Sequence, residues 1–599
     1  LQTDKADVHT ELKSKEITSL PLPQYRNYQS LINLVPGATP AVFQNAETDT
    51  PARSLRTFVN GQNPNANATR TDGATNLNIG LPHHVMYVSP AETIDTVNVA
   101  TNNFDAEQGQ AGGAAVTVIT KSGTNEFRGS AFELYNGDEL NARAYFDPQR
   151  ELPEEEQGKL PSSWHIAGGT LGGPIARNRL FFFGSYEGSF IRRRVDALYT
   201  VPTNAIRGGD FRNARNTDGS LQIVYDPRTG HPDGTGRQPF PGNRIPSDRM
   251  HAISQRVQEL YPEPNLDGDI RNFFRQEQES VDRSNYDGKI NWNRTSTHQL
   301  WGKFSHMDAL VSDQFFLGTP ENGGAGDTKV YQATVGTTWT LSPTVVLDAT
   351  FGFSRQDQTV VGPDAEMGNA GRERFGIPGT NDQRDTNPRY AGLPAFQTGY
   401  NVLGNDAGWM PVLRDERTHS MAANVTKIIG AHEIRAGGLA NYLWLTQFVS
   451  PEGNPRGELT FAGGATALPG AQSPNLYNSY AARLRLPSGR RHGVPRRLRG
   501  HLQSPPVLAA AARLLSVEPA GQLRQRRAVR VVRHARSGHS ADRAAGSERG
   551  PCAAAVDRVD ADPGARRQSR LHPVVERRRR ATLAIRRLGQ PGVRGHARP

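Results

Sequence analysis

Beyond residue 125, apolar and polar positions alternate one by one along much of the chain. Tyr286, Gly288, Ile290 and Trp292 fall on one face of an extended segment, and Asn285, Asp287, Lys289 and Asn291 on the other. Val345, Leu347, Ala349, Phe351 and Phe353 alternate with Val346, Asp348, Thr350, Gly352 and Ser354. Ile434, Ala436, Gly438, Ala440, Tyr442 and Trp444 oppose Glu433, Arg435, Gly437 and Asn441. Strand side chains alternate faces, so each segment predicts a strand with one apolar and one mostly polar side. About ten such segments, each of about ten residues, lie between 127 and 463. Ahead of them the pattern differs. Tyr25, Tyr28, Ile32 and Val35 recur at three- and four-residue spacing, which predicts a short amphipathic helix stopped by Pro36-Gly37. Ser89-Pro90-Ala91-Glu92 reads as a capping box with Pro at the first helical position. Asp72-Gly73 marks a turn, and strands are predicted at 96–101 and 114–120. Together these make a small α+β unit of about 110 residues ahead of the first long strand.

Two architectures suit the alternating segments. A soluble sandwich turns the apolar faces inward, and a membrane barrel turns them to lipid. Three features favour the barrel. The segments are longer than ordinary strands. Aromatics sit near their ends, at Trp292, Trp301, Trp339, Tyr442 and Trp444. Short connections (293–297, 341–344, 429–432) alternate with long ones (194–281, 310–327, 358–416), the asymmetry of outer-membrane barrels. No run of 18 apolar residues exists to make a transmembrane helix.

Charge divides the chain in two. The net charge is +11, yet residues 481–599 alone hold 28 Arg, no Lys and 7 acids, a net +21 that leaves −10 on residues 1–480. All 45 aromatics lie at or before Tyr480. Lys, Asn and Met vanish from the tail together while Arg, Ala, Gly and Pro rise. Residues with A/T-rich codons are lost as a group, which protein physics does not select for. The tail reads as a GC-rich gene translated out of frame from near Tyr480. It is expected to be disordered or non-native, since high charge and few large apolar groups do not offset ordering entropy. The other reading is a real polycationic extension for anionic lipid or nucleic acid. Outside the tail the mild acidity gives no reason to expect nucleic acid.

Candidate chemistry is sparse. One cysteine, Cys552, excludes a disulfide framework and Cys-based zinc sites. Of 16 His, His83-His84 are adjacent and His432-Glu433 lacks a second His four residues on. No HExxH, GxSxG or P-loop pattern occurs. Glu154-Glu155-Glu156 reads as a solvated loop, and Asp267-Gly268-Asp269 lacks the EF-hand spacing and closing Glu. The glycines of 168–175 read as strand and turn rather than a phosphate cradle. No catalytic, metal or cofactor residue is assigned, no substrate-binding residue is identified, and the chain is not expected to be an enzyme.

NLVPGA (33–38), DGATN (72–76), the stretch 90–133, FFFGSYEG (181–188) and GDFRN (209–213) resemble TonB-dependent outer-membrane transporters. The resemblance is nearest to the Oar-like subset, which carries a carboxypeptidase-regulatory-like domain ahead of its plug. VPTNAIRGGDF with YDPRTG (225–230), PGNRIP (241–246) and YPEPN (261–265) resembles that subset's first long extracellular loop. The resemblance implies a mainly β chain: 1–17 a linker from a preceding domain, 18–124 a plug, 125–480 part of an antiparallel transmembrane barrel, and 481–599 the out-of-frame tail. It implies an outer-membrane location and an unidentified small-molecule, oligosaccharide or peptide substrate, bound between plug apices and loops. It also implies energy from the TonB-ExbB-ExbD complex, through a segment expected before Leu1. The other functional reading is a surface or adhesion barrel without active transport. In either barrel, Ile290, Trp292, Leu347, Phe351 and Phe353 are expected to face lipid, and Asp287, Lys289, Asp348, Glu433 and Arg435 the lumen.

Overall fold

The computed structural model describes residues 8–485 and 580–584, except 23, 104–110, 144, 146–148, 150–151, 153, 155–156, 313–323, 382–389, 405–410, 431 and 450–455. The first unit is a five-stranded sheet of β1 (Val8–Lys13), β2 (Ala68–Thr71), β3 (Ala74–Thr75), β4 (Ile94–Asn102) and β5 (Ala115–Thr120), in the order β1-β4-β5-β2-β3. The runs 96–101 and 114–120 pair antiparallel, as their alternation predicts. The sheet starts earlier than the expected boundary at 18. Val8–Lys13 alternates and pairs with β4, so a polar composition there does not make it a linker. The expected helix over 24–35 is instead a tight turn at Gln24–Arg26, with Tyr25 and Arg26 at positive φ, followed by a 3₁₀ segment, Tyr28–Leu34, capped by Asn27 accepting from Gln29 N. The expected capping box is also different. Pro90 itself is the N-cap of a 3₁₀ turn, Ala91–Thr93, without a side-chain cap. The Glu92 carboxylate is spent on Arg26 and Lys121.

The long strands follow: β6 (Arg128–Gly137), β7 (Ser162–Ala176), β8 (Leu180–Tyr199), β9 (Phe273–Thr295), β10 (His298–Ser312), β11 (Ala325–Ser342), β12 (Val345–Val361), the short loop strand β13 (Ala395–Gln397), β14 (Val412–Ile429) and β15 (His432–Val449). A second loop strand, β16 (Glu458–Thr460), pairs parallel with β13. Strands β6 to β12, β14 and β15 form one antiparallel wall with each strand beside its sequence neighbour. Among the described residues the wall does not close. A five-residue segment of the tail, β17 (Arg580–Ala584), pairs with Glu433–Gly437 on the β15 edge, where the sequence analysis expects no strand. An edge strand's unpaired donors and acceptors accept any extended segment.

Most wall strands are 15 to 23 residues long, well above the ten expected, and the long connections shrink to 200–272, 313–324 and 362–411. The cause is visible on the outward face. Cross-strand register aligns Tyr186, Tyr286, His306, Tyr331, Arg355, Arg417 and Trp444 in one row. One step toward the long connections the row becomes Asp308, Lys329, Asp357 and Asp415. On the turn side of the aromatic row the outward residues are mostly apolar, as at Ala333, Val335, Trp339 and Leu341 on β11, with Thr337 and His419 among the exceptions. Ten steps of ~3.4 Å at a ~40° tilt span about 26 Å, the height of an outer-membrane apolar band. Apolar alternation therefore reports only the membrane-crossing part of each strand.

The described residues of the connections 200–272 and 362–411 and of the chain after β15 fold together as a cap. Its core includes Phe211, Phe240, Tyr261, Phe375, Phe396, Tyr400, Tyr477, Tyr480 and Leu484, all buried. Buried asparagines close it where no strand ladder does. Asn272 accepts from Val201 N and donates to Val201 O, both at 2.9 Å. Asn478 donates to Ile223 O and Thr466 O, tying the helix Leu476–Leu484 to the β8–β9 connection. Packing continues past Tyr480. Ala481 and Leu484 are buried, Arg483 lies over the Tyr480 and Tyr261 rings, and Arg485 pairs with Asp226 at 3.3 Å. The expectation of non-native chain from 481 thus fails for 481–485, which complete a helix turn begun by aromatic residues. Residues 486–579 and 585–599 lie outside the described residues.

Candidate functional site

The five-stranded unit packs on the wall face that carries Asp287 and Lys289, and is the plug of that face. A two-residue hairpin turn delivers its most polar contact. Asp72 and Gly73 both have positive φ (+46° and +79°), as a tight β-hairpin turn requires. This turn lays residues 72–76 along the wall. Thr75 N donates to Ser420 Oγ at 3.3 Å and Gln332 Nε2 to Asn76 Oδ1 at 3.1 Å. Gly352 leaves room for Ala74, whose Cβ is 2.3 Å from where a Cβ on the glycine would stand.

Lys289 and Lys303 stand directly opposite each other on β9 and β10. Like charges so placed repel, and Asp72 supplies the counter-charge. Lys289 Nζ donates to Asp72 Oδ1 at 3.0 Å, and Lys303 Nζ is 3.5 Å from Oδ2. Lys303 also faces Asp287 at 3.7 Å. Asp287 accepts from Tyr87 Oη at 2.8 Å and Ser305 Oγ at 2.6 Å. Thr120 donates to Asp72 from both its N–H (3.1 Å) and its hydroxyl (2.7 Å). Burial alone would raise the Asp72 carboxyl, but Lys303 and Lys289, with the Thr120 hydrogen bond, hold it below the usual carboxylate range. Tyr87 is pushed well above its ordinary value by burial and by Asp287.

A second contact lies nearer the cap. Arg414 is 3.2 Å from Asp49 and 3.3 Å from Glu416, and Glu416 accepts from Ile79 N (2.5 Å) and Gly80 N (3.3 Å). Beside it a cavity of about 270 Å³ opens between plug and wall, lined by Asn45, Ala46, Asp49, Gly80, Leu81, Val412, Arg414 and Gln447. Its walls offer a guanidinium, a carboxylate and amides to a polar guest. Within the plug, His84 is buried beside His83, ring centroids 4.2 Å apart, and hydrogen-bonds Asn45. Burial first, then His83, pushes His84 down to about 3.

The residues expected to face lipid and lumen fall on opposite faces of the wall. Tyr286, Ile290, Trp292 and Phe351 are exposed on the outward face, while Asp287 and Lys289 are buried against the plug. Asp348 and the Glu433–Arg435 pair share the plug-side parity but lie beyond the plug's reach, Asp348 bonded to Thr338. Trp301 is a correction to the expected aromatic girdle. It has plug-side parity, its ring 5.3 Å from Lys289 Nζ, and Gly336 leaves its space. Asp267–Asp269 lies in the cap, and Glu155 and Glu156 are outside the described residues. Among the described residues no group of three His, Cys, Asp or Glu is placed to hold a metal. Sequence reasoning missed Lys303, Asp72 and Tyr87. The short turn after β9 fixes Lys303 opposite Lys289, and that clash was the available signal. Arg414 and Glu416 were missed because they fell inside the assigned loop 358–416.

Residues 119–485 match the family described as an outer membrane beta barrel domain, and the chain belongs to that family, of barrels rather than enzymes, in the outer membrane. More particularly, it is 25% identical over 445 residues to the TonB-dependent transporter Oar of Myxococcus xanthus, a match covering 69% of this chain and 36% of that relative. The chain thus spans about a third of the length of that curated relative. Among solved structures it is similar to the outer membrane transporter YddB of Escherichia coli (10% identity, TM-score 0.44, 73% of this chain and 48% of that one). It is also similar to the ferric enterobactin receptor PfeA of Pseudomonas aeruginosa (12% identity, TM-score 0.38, 73% and 49%).

Proposed function

We propose that the chain is the plug and part of the barrel of an Oar-like, TonB-dependent outer-membrane transporter, with a carboxypeptidase-regulatory-like domain ahead of it in the whole protein. The observation that carries this is the plug itself. A folded unit fills the polar face of the wall through buried ion pairs that water can replace. An adhesion barrel has no need of such a unit. The domain reading is a plug over about 8–124, a wall and cap over 125–485, and an out-of-frame tail. We put the change of frame after Arg485. The packing of Arg483, Leu484 and Arg485 and the end of the family match at 485 support that position. Substrate enters at the cavity beside Arg414, and the TonB-ExbB-ExbD complex acts from the inner membrane. Among the described residues the wall has open edges, which cost several kcal/mol per unpaired group in hydrocarbon, so transport belongs to the full-length product.

The test uses the gene restored to its full reading frame. Cells are offered a labelled ferric chelate, cobalamin, an oligosaccharide and a peptide. Uptake of one of them is expected to need both the proton-motive force and the TonB system. Uptake unchanged without that system favours a passive or adhesive barrel. Translation of the other two frames beyond codon 485 is expected to give Tyr, Phe, Trp and Asn with ten-residue alternation; neither frame doing so refutes the frameshift.

A further inference from the structure

Tyr25 and Arg26 are adjacent, neither is glycine, and both have positive φ, +63° and +47°. L-residues adopt this conformation singly and at a cost, so two in succession need support from outside the backbone. Much of that support comes from the wall. The Tyr25 side chain sits at the boundary, with Arg53 of the plug over its ring at 5.6 Å, and is buried among Ile191, Val281 and Val311, one from each of β8, β9 and β10. Trp164 and Phe43 flank its ring at 6.0 and 6.4 Å. Arg283 of the wall stands over the ring at 4.9 Å, and the hydroxyl donates to Glu47 at 2.8 Å. Arg26 reaches the wall as well. It stands over Phe132 of β6 at 4.5 Å and lies 3.7 Å from Glu187 of β8, while its other contact, Glu92 at 3.0 Å, is in the plug. In an extended chain successive side chains point to opposite faces. The left-handed pair turns both toward the wall. Asn27, buried next in sequence and bonded to Arg53 O at 2.6 Å, fixes the chain on the plug side.

We propose that Tyr25–Arg26 is a strained latch between plug and wall, a positioning device that holds only while both side chains stay seated. The Asp72 contact, by comparison, has both backbone torsions in a turn geometry that a β-hairpin favours and stores no such strain. Once Tyr25 leaves its site, the backbone relaxes to an ordinary conformation, and reseating requires the strain to be rebuilt. The latch is therefore the contact that opens first when the plug is displaced. It holds whether or not the chain moves a substrate, so its failure and that of the transport reading are separable.

The test is amide hydrogen exchange on the whole chain folded in detergent micelles. Tyr25→Ala is expected to speed exchange over 25–35 at least tenfold while leaving 68–76 within about twofold. Asp72→Asn is expected to do the reverse. If Tyr25→Ala fails to fold, Tyr25→Leu keeps apolar bulk and is read in the same way. The strain is tested separately by comparing Arg26→Gly with Arg26→Ala. Both lose the ion pairs, but glycine takes positive φ freely, so Arg26→Gly is expected to exchange several-fold more slowly over 25–35 than Arg26→Ala. Equal or reversed rates for that pair, no change in Tyr25→Ala, or both regions opening together would each overturn the latch.

Discussion

The two faces of the wall follow opposite rules. Outward, Ile290, Trp292, Phe351 and Tyr442 are exposed; plug-side, Lys289, Lys303, Arg414 and Glu416 are buried. In a soluble sheet the same side chains would trade places. The inversion shows which solvent each face was built for. The outward face meets hydrocarbon and gains by showing apolar groups. The plug side meets a polar body, and its charges are tolerable only because each has a partner. One sheet is thus held by lipid on one side and by complementary charge on the other.

Breaking the charged side gives the largest expected effect. Asp72→Ala leaves Lys289 and Lys303 opposed and buried with only Asp287, 3.7 Å from Lys303, as counter-charge, and removing one partner of a buried pair costs about 3–5 kcal/mol. Urea titration monitored by exchange over 68–76 measures it. Adding Lys289→Met to Asp72→Ala is expected to recover part of the loss, because the lysine that Asp72 alone pairs is removed with its partner. The outward face is less severe. Phe351→Lys places a charge in the apolar band and is expected to cost about 2–4 kcal/mol of barrel stability in lipid, whereas Leu341→Lys, outward near the turn, costs about 1 or less. Equal costs at the two depths would remove the membrane from the explanation.

The smallest effect sharpens the plug's own interior. His84 is buried and neutral, with its pKa down to about 3 against an ordinary 6.5. Below 6.5 the unfolded chain takes up a proton that the folded plug refuses. Its contribution is therefore complete above pH 6.5 and falls as pH drops from 6.5 toward 3. At pH 5 the loss is about 2 kcal/mol. His84→Gln is expected to flatten that slope, read as plug stability against pH.

Period-two alternation made the wall legible because one face of each strand has a single solvent along the membrane. It failed where the solvent changes. Above the aromatic row the outward side chains become Asp308, Lys329, Asp357 and Asp415, so strand looked like loop and Arg414 and Glu416 were lost with it. The plug sheet was legible at β4 and β5, whose runs are β-rich, but not at β1, a polar edge strand. The cap was invisible because its helices and strands are short and buried asparagines close the rest. Contacts between distant segments, such as Asp72 with Lys303, carry no local pattern. Only the turn length that sets Lys289 against Lys303 hinted at them.

Single cysteines introduced into the frame-restored full-length protein, with any other cysteine replaced by serine, and labelled in intact outer membranes, test the two-faced wall most directly. Ile290, Trp292, Leu347, Phe351 and Phe353 are expected to react with a lipid-soluble maleimide and to be protected from a water-soluble one. Asp287, Lys289, Asp348 and Arg435 are expected to show no such preference for the lipid-soluble reagent. Because a one-residue slip inverts every position, the reverse pattern, with the second set labelled from lipid, would contradict the wall as a membrane barrel.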